Sequence, residues 1–241
     1  MINRQNKTSY LLIHGFSSHR TSLTAVIPEL DKRNIEWHYP ILAGHGTRPE
    51  DMIDKTWEHW QQDVETGLKY LLQESNQVII IALSMGALLA LELAASYPKK
   101  VASLVLLSPA LHFKMKLTRF TPLLTKVIKR FPNPSINKFS SIKYIKNDLG
   151  YRWVPTQAFH KYWLRTKHFD SVLEKIYQPV RIIHSRNDKM AAPTGAKHIY
   201  NKIKSRNKEL IWLEKSGHEV LLDAETELVL KYIFQPPSLK Q

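Results

Sequence analysis

The sequence predicts an α/β domain built on a mostly parallel sheet. Short apolar runs alternate with helix-length amphipathic stretches at both ends of the chain, the pattern of strands joined by crossover helices that cover both faces of a sheet. One run, Gln77-Val-Ile-Ile-Ile-Ala-Leu83, is apolar almost without interruption, as a parallel strand buried on both faces must be. The length of 241 residues is enough for one such domain with a sizeable core.

The elements follow in order. Tyr10–His14 is a short β-type run stopped by Gly15, and Ser22–Lys32 then carries apolar residues at helical spacing. Ile35–Tyr39 alternates as a short strand does, and Thr56–Gln73 is the longest helical stretch of the first half. Val78–Leu83 is the central strand, followed by a helix from Ala87 to Ser96 and a strand from Val101 to Leu107. The rhythm resumes with strand Val180–His184, helix Thr194–Lys204, strand Glu209–Leu213 and helix Glu225–Phe234. Between them, residues 111–178 break the alternation. Prolines fall at 122, 132, 134 and 155 and no convincing strand is visible, so the segment reads as short helices joined by turns. The expected organisation is a core of residues 1–110 and 179–241 with 111–178 inserted as a small helical cap after the strand ending near Leu107.

Ala82-Leu-Ser-Met-Gly86 joins the central strand to its helix. A tight strand-to-helix turn lifts the serine hydroxyl clear of the sheet, and small residues two before and two after it let strand and helix approach. Ser84 alone could equally be the cap of the following helix. A serine hydroxyl needs a base within hydrogen-bond reach, and the base needs an orienting carboxylate. Asp188 lies just past strand Val180–His184, and His218 just past strand Glu209–Leu213. Both fall at the carboxyl edge of the sheet, where open α/β sheets place their sites, and in the chain order acid then base that such an elbow requires. An isolated aspartate after a strand is usually a turn residue, and one of eleven histidines is usually structural; two in this order after separate strands point to chemistry. Asp170 and Asp223 fall at the wrong places in that order. Acyl chemistry also needs donors for an oxyanion. The backbone N–H of Met85 supplies one and that of Phe16, in the loop after the first strand, the other; Gly15 lets the backbone approach, and His14 reads as structural.

Composition narrows the classes. The absence of cysteine excludes a disulfide framework, a thiolate metal site and a cysteine nucleophile, and fits a reducing cytoplasm. No run approaches the roughly 18 apolar residues of a membrane span. No H-E-x-x-H or other metal spacing occurs among the histidines. The formal charge is +14, and residues 111–178 hold ten lysines and four arginines against three acidic residues, so most of the excess belongs to the cap. Thr121–Phe131 reads as an amphipathic helix with Lys126, Lys129 and Arg130 opposite its apolar face. That basic face is either simply solvated or suited to an anionic lipid surface.

Taken together, His14-Gly15-Phe16, Leu42-Ala-Gly-His-Gly46, the Trp57/Trp60/Asp63 spacing, the serine turn, Arg186-Asn-Asp188 and Ser216-Gly-His218 resemble the carboxylesterase and monoacylglycerol lipase group of α/β-hydrolases. The resemblance runs from Tyr10 to about Tyr232; Ala82, where glycine is usual, is its main departure. It implies Ser84 as nucleophile, His218 as base, Asp188 as acid and the Phe16 and Met85 amides as oxyanion hole, with no metal and no organic cofactor. The expected substrate is a small ester or a lipid, cleaved through an acyl-enzyme, by a monomer or weak dimer with no specific nucleic-acid partner. Thioester cleavage and acyl transfer would use the same residues, and a ligand- or polyanion-binding protein on the same scaffold is the reading from another class.

Overall fold

The computed structural model describes residues 7–114, 125, 128–133 and 150–235. Its strands are β1 (Thr8–Ile13), β2 (Trp37–His38), β3 (Gln77–Leu83), β4 (Val101–Leu107), β5 (Arg130–Pro132), β6 (Trp153–Pro155), β7 (Val180–Ser185) and β8 (Lys208–Leu213). Six of them form one sheet in the order β2-β1-β3-β4-β7-β8, each neighbouring pair parallel. The helices are α1 (Ile27–Lys32), α2 (Trp57–Leu71), α3 (Met85–Ser96), α4 (Thr156–Thr166), α5 (Asp170–Leu173), α6 (Pro193–Lys202) and α7 (Thr226–Phe234).

The period-two alternation of side chains along each strand divides the core in two. Leu11, Ile13, Val78, Ile80, Leu104 and Leu106 point to one face, where α2, α3 and α6 pack. Leu12, Ile81, Leu83, Val105 and Leu107 point to the other, covered by a 3-10 turn (Arg20–Val26), α1 and α7. This is the predicted α/β-hydrolase architecture, with element boundaries close to those read from the pattern. Ser22–Lys32 divides into the 3-10 turn and α1, since Pro28 in the first turn of α1 has no N–H to continue a hydrogen-bond ladder.

Residues 111–178 correct the sequence reading in one respect. Besides α4 and α5 they contain strands: β5 and β6 pair antiparallel, with Arg130 opposite Pro155 and Pro132 opposite Trp153. Pro132 and Pro155, two of the prolines that argued against strands, sit in a two-stranded ribbon, where each strand has an open edge that asks for no N–H; Pro122 and Pro134 lie outside the described residues. Of the amphipathic helix expected over Thr121–Phe131, Arg130 and Phe131 lie in β5; residues 121–124, 126 and 127 lie outside the described residues.

The β3–α3 turn sets up everything at the carboxyl edge. Ser84 has φ 56° and ψ −117°, a conformation that costs a non-glycine residue on the order of 1–3 kcal/mol. Its surroundings over-determine it. Ser84 N–H donates to Leu107 O at 2.9 Å, and Ser84 O accepts from Ala87 N at 3.2 Å and Ala110 N at 3.3 Å. Gly86 then passes under the end of β1. A Cβ there would lie 2.5 Å from His14 O and 2.6 Å from Ile13 O, so only glycine fits. The position two before Ser84 is less demanding, and Ala82 is fully buried there. We expect Ala82→Gly to keep kcat for ester hydrolysis within a few-fold. Ala82→Val should overpack by roughly 1–3 kcal/mol. Gly86→Ala should lower kcat by about 10²-fold or more, because it displaces the serine. Steady-state assays with thermal melts on the three variants check this ranking.

Two buried histidines brace the loops beside this turn. His14 Nδ1–H donates to Gly15 O at 2.9 Å and Nε2 accepts from Leu42 N–H at 3.1 Å, so one neutral tautomer uses both ring nitrogens. His45, with its ring 5.0 Å from that of His14, donates from Nδ1 to Ala43 O at 3.2 Å. Desolvation holds His14 down to about 4, and desolvation with the neighbouring His14 holds His45 down to about 3. Both values lie below the unfolded reference of about 6.5, so as pH falls the unfolded chain binds protons first. The stabilisation is complete above about pH 6.5 and is lost progressively towards pH 4. The urea midpoint should therefore drop between pH 7.5 and pH 5 with little change in slope, and equilibrium urea titrations at the two pH values measure it.

Candidate active site

Three loops at the carboxyl ends of β3, β7 and β8 bring Ser84, Asp188 and His218 together. His218 Nε2 lies 2.9 Å from Ser84 Oγ, and His218 Nδ1 lies 2.7 Å from Asp188 Oδ2. The fold thus assembles the three residues that chain order singled out, from positions as far as 134 residues apart.

Asp188 is fully buried. Its Oδ1 accepts the N–H groups of Met190 at 2.8 Å and Ala191 at 3.0 Å, which leaves Oδ2 for His218. Burial pushes the carboxyl up, but the His218 charge and the His218 and backbone hydrogen bonds outweigh it and hold Asp188 below the usual carboxylate range. His218 is affected in the opposite sense. Desolvation pushes it down, and the charge and hydrogen bond of Asp188, with the charge of Glu219, bring it above the ordinary histidine value. His184 lies 3.5 Å from Asp188 Oδ2 and is a spectator: desolvation lowers it to about 4, so it remains neutral.

The loops are tied by carboxylates that accept backbone N–H groups. Glu225 accepts from the N–H of Glu214, Lys215 and Ser216 and from the Ser216 hydroxyl. Asp223 accepts the Gly217 N–H at 2.7 Å, one residue before His218; it fastens the histidine loop and leaves the imidazole to Asp188. Asn187 Nδ2 donates to Glu214 O, joining the acid loop to the base loop. Asp170, the other aspartate set aside by chain order, pairs instead with His198 at 2.6 Å and Lys202 at 3.2 Å.

The first strand delivers the remaining backbone. A Cβ on Gly15 would lie 3.0 Å from Ser84 Cβ, so this loop passes directly against the serine. Gly15 and Phe16 line the same pocket as Ser84 and His218. Met85 opens α3, and the N–H groups of a first helical turn have no partner within the helix. The Phe16 ring is locked among His45, Trp60, Phe159 and Tyr162, with ring centroids 5.7–6.1 Å away. The Trp57/Trp60/Asp63 spacing finds its use here. Trp60 Nε1 donates to Ala43 O at 3.0 Å and Asp63 Oδ2 accepts from Ala43 N at 2.6 Å, so α2 fixes the loop that packs beneath Phe16.

Described residues of the 111–178 segment complete the pocket; of the side chains involved, the sequence pattern had reached only Phe131, at the end of Thr121–Phe131. Phe113, Phe131, Val154, Phe159 and Tyr162 form an apolar wall with Met190 and Ala191. Asn133 Nδ2 donates to Ser17 Oγ at 2.9 Å across 116 positions, a partnership that no local pattern signals. Tyr162 donates to Ala110 O at 2.7 Å. Behind the wall, Glu92 on α3 accepts from Trp57 Nε1 at 2.6 Å, Gln61 Nε2 at 2.7 Å and Arg165 Nε on α4 at 2.5 Å, which moors α4 to the core. Among the described residues no helix is long and apolar enough to cross a membrane.

This geometry has relatives. A carboxylesterase of Bacillus subtilis (strain 168) is 26% identical over 229 residues, covering 93% of this chain and 90% of that protein. A thermostable monoacylglycerol lipase of Bacillus sp. (strain H-257) is 27% identical over 230 residues, covering 92% and 86%. Among solved structures, one from the metagenome-derived lipolytic enzymes LipS and LipT superposes with a TM-score of 0.85 at 27% identity, covering 95% of this chain and 92% of its own. The family model described as serine aminopeptidase, S33, matches residues 4–225, nearly the whole span that carries the sheet and all three loops, and the chain belongs to that family of hydrolases.

Proposed function

We propose that this protein hydrolyses carboxylic esters through an acyl-enzyme on Ser84. The reading rests above all on the relay Asp188–His218–Ser84, with hydrogen-bond distances of 2.7 and 2.9 Å. In the first half-reaction Ser84 Oγ attacks the ester carbonyl and its proton passes to His218 Nε2. Asp188 holds the ring in the tautomer that leaves Nε2 free to accept, and stabilises the imidazolium once formed. The N–H groups of Met85 and Phe16 take the oxyanion. His218 returns the proton to the departing alcohol, and a water molecule, activated by the same imidazole, releases the acid and restores Ser84. No step asks for a metal or an organic cofactor.

The apolar wall suits the acyl chain of a small ester or a monoacylglycerol. The neighbouring lipase and esterase relatives support that class, which we assign to this chain on the strength of the pocket lining. The basic segment 111–178 serves as an apron for weak, salt-sensitive contact with anionic membrane surfaces, each Lys or Arg near the surface contributing about 1 kcal/mol. We place the enzyme in the cytoplasm, acting as a monomer or weak dimer. A series of p-nitrophenyl esters and monoacylglycerols, with thioesters and an acceptor alcohol as further arms, separates hydrolysis from transfer and reads the depth of the pocket.

Ser84→Ala should abolish turnover by a factor on the order of 10⁴–10⁶ and eliminate labelling by a serine-directed fluorophosphonate, with an unchanged melting temperature. Persistent labelling in that variant would assign the nucleophile elsewhere.

Asp188→Asn should lower kcat about 10⁴-fold, because the amide favours the wrong imidazole tautomer. Asp223→Asn should act chiefly on stability, since its carboxylate fastens the loop at Gly217. Comparison of kcat and urea midpoints for the two variants distinguishes the roles.

A further inference from the structure

The mechanism leaves one buried acid unused. Glu219 follows His218 directly and is only 7% exposed. It lines the same pocket as Ser17, Ser84 and His218. Its Oε2 is sealed from solvent and has no hydrogen-bond partner among the described residues. The Ser22 hydroxyl interacts with the carboxyl, and Ser22 Oγ is itself bonded to Ser18 Oγ. Ser18 and Ser22 belong to the segment that follows Phe16, so the carboxyl links the histidine loop to the loop that bears the oxyanion amide.

Structural need does not account for it. A carboxyl enclosed with so little hydrogen bonding is penalised, and an amide or an aliphatic side chain would fill the space with less loss. Nor does the histidine loop depend on it, because Glu225 and Asp223 already bind the backbone N–H groups of residues 214–217. What Glu219 supplies is a second acidic group beside the base, and local violations of this kind concentrate at functional sites.

We propose that Glu219 is a positioning residue for His218: Asp188 fixes the orientation of the imidazole, while Glu219, held through Ser22 and Ser18 to the oxyanion loop, sets the electrostatic field in which the imidazolium forms. The proposal rests on His218 being the base. Burial pushes the Glu219 carboxyl up, against the pull of the His218 charge and the Ser22 hydroxyl, and its charge adds to that of Asp188 in raising His218. Two neighbours of the pair stay neutral, and the charges of Lys114 and Arg20 act on those neighbours, His184 and Tyr39 respectively. His184, against Asp188 on the β7 side, is held at about 4 by desolvation. Tyr39, which senses the Glu219 charge, is raised well above the ordinary tyrosine value by burial. Among the described residues, Asp188 and Glu219 are the charges that raise the imidazole, and their titration is coupled to its own.

The test is the titration of the His218 ring followed by NMR in wild type and Glu219→Gln, together with the pH dependence of kcat/KM. Loss of the carboxylate removes a stabiliser of the imidazolium, so the His218 midpoint and the acidic limb of the rate profile should both move to lower pH, by roughly half a unit to one unit. A midpoint unchanged in Glu219→Gln overturns the proposal, even if the variant is slower or less stable. If that variant does not fold, Ser22→Ala serves in its place. It releases the hydroxyl that favours the ionised carboxyl and should move the His218 midpoint in the same direction by a smaller amount; no movement overturns the proposal. The NMR titration needs no substrate, so a protein that cleaves no ester would refute the functional reading and still report on Glu219.

Discussion

The missing Cβ of Gly86 is the constraint from which the site follows. Any larger residue would meet the carbonyls of Ile13 and His14. Because none is there, the first turn of α3 slides beneath the end of β1, and Ser84 is forced into a backbone conformation with φ 56°. The same approach puts Gly15 against Ser84, and Phe16 lines the same pocket. One close packing event between a strand end and a helix start thus sets both the turn at Ser84 and the backbone that passes it. The strain is sustained because both polar backbone groups of Ser84 are paired with β4 and its continuation.

Around that turn, the chain fastens its loops with carboxylates and backbone N–H groups. Asp63 holds Ala43, Asp188 holds Met190 and Ala191, Asp223 holds Gly217, and Glu225 holds residues 214–216. Such anchors have short reach and fixed direction, which suits a site that must hold donors in place before charge develops. The described pocket lining contains neither lysine nor arginine, although the chain as a whole carries +14. The excess of positive charge in residues 111–178 is a property of the sequence, and none of the lysines or arginines of that segment lines the described pocket.

The sequence was informative where the physics is local. Period-two and helical patterns gave the six-stranded sheet, because one-sided and two-sided burial leave different marks on a strand. Ser84, Asp188 and His218 were legible because each stands just past its own strand, and parallel topology collects those positions at one edge. Three features were not legible. Asn133 and Ser17 meet across 116 positions with no periodicity to connect them. The β5–β6 ribbon was hidden by its prolines, which forbid a central strand and permit an edge. Glu219 belongs to no motif, and only its burial reveals it as an acid with an unpartnered oxygen.

Glu92 draws an unexpected border within residues 111–178. Its carboxylate binds Arg165 of α4 as well as Trp57 and Gln61 of α2, and it stands on the helix whose first residue follows Ser84. α4 is therefore fastened to the catalytic scaffold from behind, while its Phe159 and Tyr162 face the pocket. Anyone recombining this protein with a relative should treat α4 as scaffold and place the crossovers upstream of it. A chimaera cut at the ends of the whole 111–178 segment would transplant the pocket lining along with it, and would strand a buried acid in the middle of α3.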